Sequence, residues 1–184
     1  MLRVAMVLLI INFCDPAFSS PKDGIISQMK LTKTLSFNFI QSIDEKKENG
    51  SCIIKYPKKI FCEYKGANEK VIVSNGKSLV IKIKKNGNYY IYPLNKTPLE
   101  LLLDKEYLIS KINTLEPRDI DGQFLAYKIF QNENEINIFF DKKTLDLQGW
   151  EITDQYNNSI NFSLKIITKN DVYKKEIFKI PDIN

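Results

Sequence analysis

The stretch Tyr89-Tyr90-Ile91-Tyr92-Pro93-Leu94-Asn95-Lys96-Thr97-Pro98-Leu99-Glu100-Leu101-Leu102-Leu103 constrains this chain more than any other. An aromatic strand ends at Pro93, and a helix start follows at once. Thr97 is placed to cap that helix, Pro98 suits its first position, and Glu100 stands where a capping box needs an acid. Leucine then appears on nearly every side. A short helix that apolar cannot sit free in water and must cover something greasy. The rest of the chain supplies mostly sheet. The expectation is a greasy lid over a greasy sheet, which suits a container better than an enzyme.

The sheet is read from period-two alternation. Phe37, Phe39, Gln41 and Ile43 share one face of a first strand, and a charged loop is expected at residues 44–50. Further strands are expected at residues 51–56, 59–65, 69–74, 78–84, 89–92, 124–131, 135–141, 145–153, 159–168 and 172–179. Polar turns are expected at residues 132–134, 141–144 and 156–158. Asn75-Gly76 is the clearest hairpin signal. Besides the leucine helix, residues 23–34 read as an amphipathic helix with Ile25, Ile26, Met29 and Leu31 on one side, and residues 107–112 as another helix. About eleven strands with short connections and a few helices describe a mostly β, α+β fold: an unclosed antiparallel half-barrel with a helical lid on its concave side.

The 184 residues allow one domain of about 150 residues plus an export signal. Arg3, the apolar run from Val4 to Phe13 and the small-x-small pattern at Ala17-Phe18-Ser19 fit a signal peptide over residues 1–19, cut after Ser19. Cys14 raises a lipoprotein reading, but bulky Phe13 precedes it where a small residue is needed, and an uncleaved anchor is the other alternative. Export places the mature chain in an oxidising compartment. There Cys52 and Cys62, flanking the turn at residues 56–59, are either a disulfide across a hairpin or two small buried hydrophobes.

Histidine is absent, which removes serine–histidine triads, cysteine–histidine dyads and histidine metal sites. The carboxylates Asp44-Glu45, Asp119 with Asp121, and Glu133 with Glu135 fall in polar loops, not in a dry pocket. A net charge of +5 is short of a concentrated nucleic-acid patch. The lysine pairs at residues 46–47, 58–59, 84–85, 142–143 and 174–175 read as solvated hairpin tips and edge protection, or else as attraction to anionic lipid or an acidic partner.

In order along the chain, several short motifs resemble the LolA family of periplasmic lipoprotein carriers. They are Phe37-Asn38-Phe39-Ile40-Gln41 after the first helix, Gly50 before a strand ending at Tyr56-Pro57, and Tyr64 beyond it. Val73-Ser74-Asn75-Gly76-Lys77-Ser78-Leu79, Tyr92-Pro93-Leu94 and the lid segment from Thr97 to Leu103 follow, then Gly149-Trp150, Asp154, Asn158, Phe162, Phe178 and Pro181. The resemblance implies a single lipoprotein-carrier domain over residues 20–184 whose cavity takes the acyl chains of triacylated lipoproteins. Cargo would come from the inner-membrane Lol ABC transporter and pass to an outer-membrane acceptor, without cofactor or nucleic acid, in a periplasmic monomer. A lipid- or glycolipid-binding protein of the same fold is the alternative. The expected cavity and lid residues are Phe37, Phe39, Ile54, Tyr56, Val73, Leu79, Ile81, Tyr92, Leu99, Leu102, Leu103, Phe140, Trp150 and Phe162. One departure stands out. Many family members carry an arginine just before the proline at Pro57, where it helps latch the lid by hydrogen bonding. Here that residue is Tyr56.

Overall fold

In the computed structural model, which describes residues 20–66, 69–131, 134–153 and 159–180, eleven antiparallel strands form one unclosed sheet. The expected signal peptide, the turns at residues 132–133 and 156–158, and the family positions Asp154, Asn158 and Pro181 lie outside the described residues. No described helix is long and apolar enough to cross a membrane.

Helix α1 (Pro21–Leu31) opens the described chain. Ser20 caps it: its hydroxyl accepts from the Asp23 amide, and the Asp23 carboxylate accepts from the Ser20 amide. The helix ends three residues before the expected point, because Thr34 already belongs to the first strand. Ile25 and Ile26 are buried, whereas Leu31 is 70% exposed and does not join the apolar face.

Strands β1 (Thr34–Ile43), β2 (Lys46–Lys55), β3 (Lys59–Lys65), β4 (Lys70–Asn75), β5 (Ser78–Ile83) and β6 (Tyr89–Pro93) form one meander. After the lid region come β7 (Arg118–Ile120), β8 (Phe124–Gln131), β9 (Asn134–Asp141), β10 (Leu147–Thr153) and β11 (Ser159–Lys169). The two meanders join where β1 pairs with β11, so the sheet order is β6-β5-β4-β3-β2-β1-β11-β10-β9-β8-β7. The outermost strands β6 and β7 are the margins of the sheet. Between them in sequence lie a 3-10 turn (Leu94–Lys96), helix α2 (Leu99–Leu103) and helix α3 (Lys105–Thr114). The cover is therefore the chain's own link from one edge of the sheet to the other.

Two expectations are corrected. The charged loop at residues 44–50 is a two-residue turn, since Ile43 pairs with Lys46. Asp44 takes the left-handed backbone this needs, at φ 51°, and the polar residues beyond it extend β2 past the buried part of the sheet. Residues 172–179 are not a strand but an extended lead into a 3-10 turn (Lys175–Phe178) that packs on β3 and β4. β7, too short to signal by alternation, replaces it in the count.

That terminal turn builds a second small core on the outer face. Phe178 is buried, as are Val71, Val73 and Val80, which alternate away from the main core cluster. The main core lies on the concave face, where cross-strand rows are apolar nearly from edge to edge: Leu35, Phe37 and Phe39 on β1, Leu164 on β11, Trp150 on β10, Ile136 and Ile138 on β9. Gly50 leaves room for this packing. A Cβ there would lie 2.1 Å from the Glu63 carbonyl oxygen and 2.8 Å from the Phe39 ring, which instead reaches across to Tyr64 at 4.7 Å between centroids.

Urea denaturation tests the two cores. Phe178→Ala is expected to lower stability by about 3 kcal/mol, through lost burial and the cavity left behind. Tyr127→Phe removes a buried hydroxyl with no hydrogen-bond partner among the described residues, and is expected to leave the midpoint unchanged or raise it.

A latched lid over an apolar cavity

The lid helix does not start as its sequence suggests. Thr97 directs its hydroxyl to the Leu94 carbonyl at 2.8 Å, so no side chain caps α2 and the capping box is absent. The preceding 3-10 turn brings that carbonyl within reach. The Glu100 carboxylate is thereby free for a different partner. Within α2, Leu101, Leu102 and Leu103 are buried, and Leu99 is half-buried.

The partner of Glu100 comes from the β2–β3 turn. Lys58 Nζ lies 3.0 Å from the Glu100 carboxylate and 3.0 Å from that of Asp104. The Lys58 amide also donates to the Leu103 carbonyl at 2.9 Å. The Lys58 carbonyl accepts from Ser74 Oγ at 2.9 Å, which ties the turn to the sheet. Lys58 has a left-handed φ of 62° and follows a cis Tyr56–Pro57 bond. The turn presents Lys58 to the lid, while Tyr56 lines the space beneath it. Hydrogen bonds to Glu100 and then Asp104 hold the Lys58 ammonium above its ordinary pKa. Burial pushes the Tyr56 hydroxyl up to about 12. A second clasp joins α3 to α1: Lys105 Nζ donates to the carbonyls of Thr32 at 3.0 Å and Lys30 at 3.2 Å, and sits 5.5 Å from the Tyr56 ring centroid. The latch role that Tyr56 does not fill falls to Lys58, two residues on.

Under the lid the apolar space is divided. A cavity of about 330 Å³ is lined by Cys52, Ile60, Cys62, Tyr64, Ile72, Leu79, Ile81, Ile152, Ile160 and Phe162, with Thr97, Pro98 and Leu99 of the lid segment above. A void of about 50 Å³ lies toward α1 and α3, bounded by Leu35, Ile54, Tyr56, Leu102, Leu108 and Phe140. Trp150 borders both and stacks on Phe162 at 4.8 Å between centroids. A disulfide joins Cys52 to Cys62, which face each other in register with Cα atoms 4.1 Å apart.

Of the expected site residues, Leu79, Ile81, Leu99, Trp150 and Phe162 line the larger cavity, while Ile54, Tyr56, Leu102 and Phe140 line the smaller. Phe37, Phe39 and Leu103 are buried in the packed core. Tyr92 pairs with Leu79 but is 43% exposed on the margin strand β6. Val73 is on the other side of the sheet. Ser74 pairs with Leu79 across the Asn75-Gly76 turn, so Val73 pairs with Val80 and Ile72 takes the cavity position. Ile60, Tyr64, Ile72 and Ile160 line the larger cavity as well, beyond the expected residues. The parity of the hairpin loops would have found them, because Ile60, Cys62 and Tyr64 alternate on one face once Cys52 opposes Cys62.

A concave apolar floor, an unclosed sheet and a latched helical cover define a protein that encloses apolar groups. The model of the family described as outer membrane lipoprotein carrier protein LolA matches residues 30–181, and the chain belongs to that family. Among solved structures, an uncharacterised conserved protein from Thermus thermophilus is similar at a TM-score of 0.52 and 8% identity, covering 87% of this chain and 92% of that one. A LolA superfamily protein from Nitrosomonas europaea is similar at 0.48 and 8% identity, covering 88% and 99%. No curated protein sequence matches significantly.

The latch makes a prediction with a sign. A lysine whose pKa is raised in the folded protein contributes fully below its unfolded value and is lost as pH rises through the folded one. Lid closure is therefore expected to hold at neutral pH and to loosen in alkaline solution, above the ordinary lysine range. Lys58→Met should reproduce that loosening at neutral pH. Amide hydrogen exchange over residues 99–108 measures both. Unchanged protection in Lys58→Met would mean that packing and the main-chain bond from residue 58 to Leu103 close the lid without the ion pairs.

Proposed function

We propose that this protein is a periplasmic carrier that holds the acyl chains of lipoproteins in the cavity beneath α2 and moves them from an inner-membrane Lol transporter toward the outer membrane. The observation that carries this reading is the 330 Å³ apolar cavity roofed by Leu99 and Pro98, with the lid held by the ion pairs of Lys58. Family membership supports it. The reading assigns no catalysis: the cavity walls offer burial, not an acid–base pair.

Magnitudes suit such a role. Each methylene taken from water is worth about 0.8 kcal/mol, so a chain of a dozen gains on the order of 10 kcal/mol. Left in water, such a chain would aggregate or return to its membrane. A soluble protein that covers it must still give it up, and the cost of displacing the lid lowers the net affinity. The cavity volume of about 330 Å³ is roughly twice that of an engineered ~150 Å³ cavity that accepts one benzene. The closed state therefore accommodates part of one long chain, and three chains require the lid to move aside. That same volume favours the second reading, in which a smaller lipid or glycolipid is the ligand.

Two measurements test the proposal. Mass spectrometry of material co-purified from the periplasm should find lipoproteins, and finding only small lipids would select the second reading. Binding of a fluorescent apolar probe should fall about tenfold or more in Leu99→Asp and Leu102→Asp, which place a charge on the apolar side of the lid. Lys143→Glu, on an exposed turn, should bind as the unaltered protein does. Circular dichroism establishes that each variant is folded. Folded leucine variants that bind normally would remove the lid from the site.

A further inference from the structure

The larger apolar cavity borders a basic cleft. Gln41, Tyr64 and Lys70 line the cavity and also a cleft of about 530 Å³ beside it. The other charged walls of the cleft are Lys46, Lys47, Lys65, Glu48 and Glu69. Four lysines stand against two glutamates, and Glu48 is taken by Lys70 at 2.7 Å. Lys70 Nζ also lies 3.9 Å from the Tyr64 ring centroid, and the Tyr64 hydroxyl donates to Gln41 Oε1 at 2.7 Å. This ordered row of Gln41, Tyr64 and Lys70 separates grease from charge. Beyond it, Lys46, Lys47 and Lys65 are exposed and form no ion pair among the described residues.

Protection of a sheet edge does not explain these lysines. β1, β2 and β3 are interior strands, and the sheet's margins are β6 and β7. Gathering like charges at one mouth raises their mutual repulsion, and an anion there relieves it. An apolar cavity that shares a wall with a cationic cleft has the order of an anionic amphiphile: chains on one side, charge on the other.

We propose that the cleft formed by Lys46, Lys47, Lys65 and Lys70 binds the phosphate-bearing headgroup of an anionic lipid whose chain occupies the apolar cavity. This rests on the container reading and adds a headgroup class to it. Trp150 is the only tryptophan of the chain and borders the cavity, so its fluorescence reports occupancy.

The test compares three monomeric short-chain ligands: dioctanoylglycerol, dioctanoyl phosphatidylcholine and dioctanoyl phosphatidylglycerol. The anionic lipid is expected to bind about tenfold more tightly than the zwitterionic one, with the difference shrinking in high salt. The combined variant Lys46→Glu, Lys47→Glu, Lys65→Glu should lose that preference and keep its affinity for dioctanoylglycerol. Equal binding of the two phospholipids, or a preference that survives the charge reversal, overturns the headgroup site. Glycerol phosphate should not displace the anionic lipid at comparable concentration; displacement would make this a free-phosphate site and overturn the lipid assignment. Protein that sediments with phosphatidylglycerol vesicles but carries no lipid away would make the lysines a membrane-docking face instead, which also overturns it. Dioctanoylglycerol separates the two levels. If it does not bind, the container reading falls as well; if it binds with no headgroup preference, only this inference falls.

Discussion

An antiparallel sheet that is apolar across its concave face must either close on itself or be covered. Here it is covered. The chain leaves β6 on one margin and reaches β7 on the other through α2 and α3, so the segment that links the two margins is also the segment laid over the concave face. Leu101, Leu102 and Leu103 are buried because that gap faces grease. The cavity beneath Leu99, the void beside Leu102 and the division between them at Trp150 all follow from laying a short helix over an opening that it does not fill.

Such a cover needs a restraint strong enough to define a closed state and weak enough to release. Lys58 meets both demands. Its side chain is 33% exposed, and those of Glu100 and Asp104 are 18% and 29% exposed, so each ion pair is partly screened by solvent and contributes modestly. The amide bond from Lys58 to the Leu103 carbonyl fixes the register of the turn against the lid. The same turn is secured to the sheet through Ser74. On the carrier reading, opening the lid at this end of α2 means breaking the two ion pairs of Lys58 and its main-chain bond to Leu103, none of which is part of the strand pairing that the disulfide spans.

How much of this was legible in the sequence depended on range. Alternation placed β3 and β8 at their observed bounds, and the leucine run identified the lid. Alternation misread residues 172–179, because Phe178 is an apolar plug on the outer face and not a strand position. The strand count agreed only because Arg118–Ile120 replaced that segment. Face assignment failed where a loop's parity was unknown: Val73 and Leu79 both look inward until the turn between them pairs Ser74 with Leu79. The latch was out of reach for another reason. Lys58 and Glu100 are 42 residues apart, and the local pattern at Thr97 to Glu100 points to a capping box that would have occupied that carboxylate. Tertiary geometry overrode the local motif, and with it moved the latch from Tyr56 to Lys58.

The energies set the direction of the cycle on the carrier reading. Three fully buried lid leucines are worth roughly 6 kcal/mol together at about 2 kcal/mol each, while a chain of a dozen methylenes is worth about 10 kcal/mol. Measured from water, a chain handed over at the mouth therefore outweighs the lid leucines and displaces them from the floor, whereas drawing it out of a membrane, where it is already buried, gains nothing from this term and falls to the donor. Release is then the harder step, since water offers the chain nothing. It becomes favourable only where another apolar phase meets the mouth of the cavity and the leucines can return to the sheet as the chain departs. The cover thus acts at both ends of the transfer: it is the competitor that the incoming chain defeats, and the replacement that makes the outgoing chain dispensable.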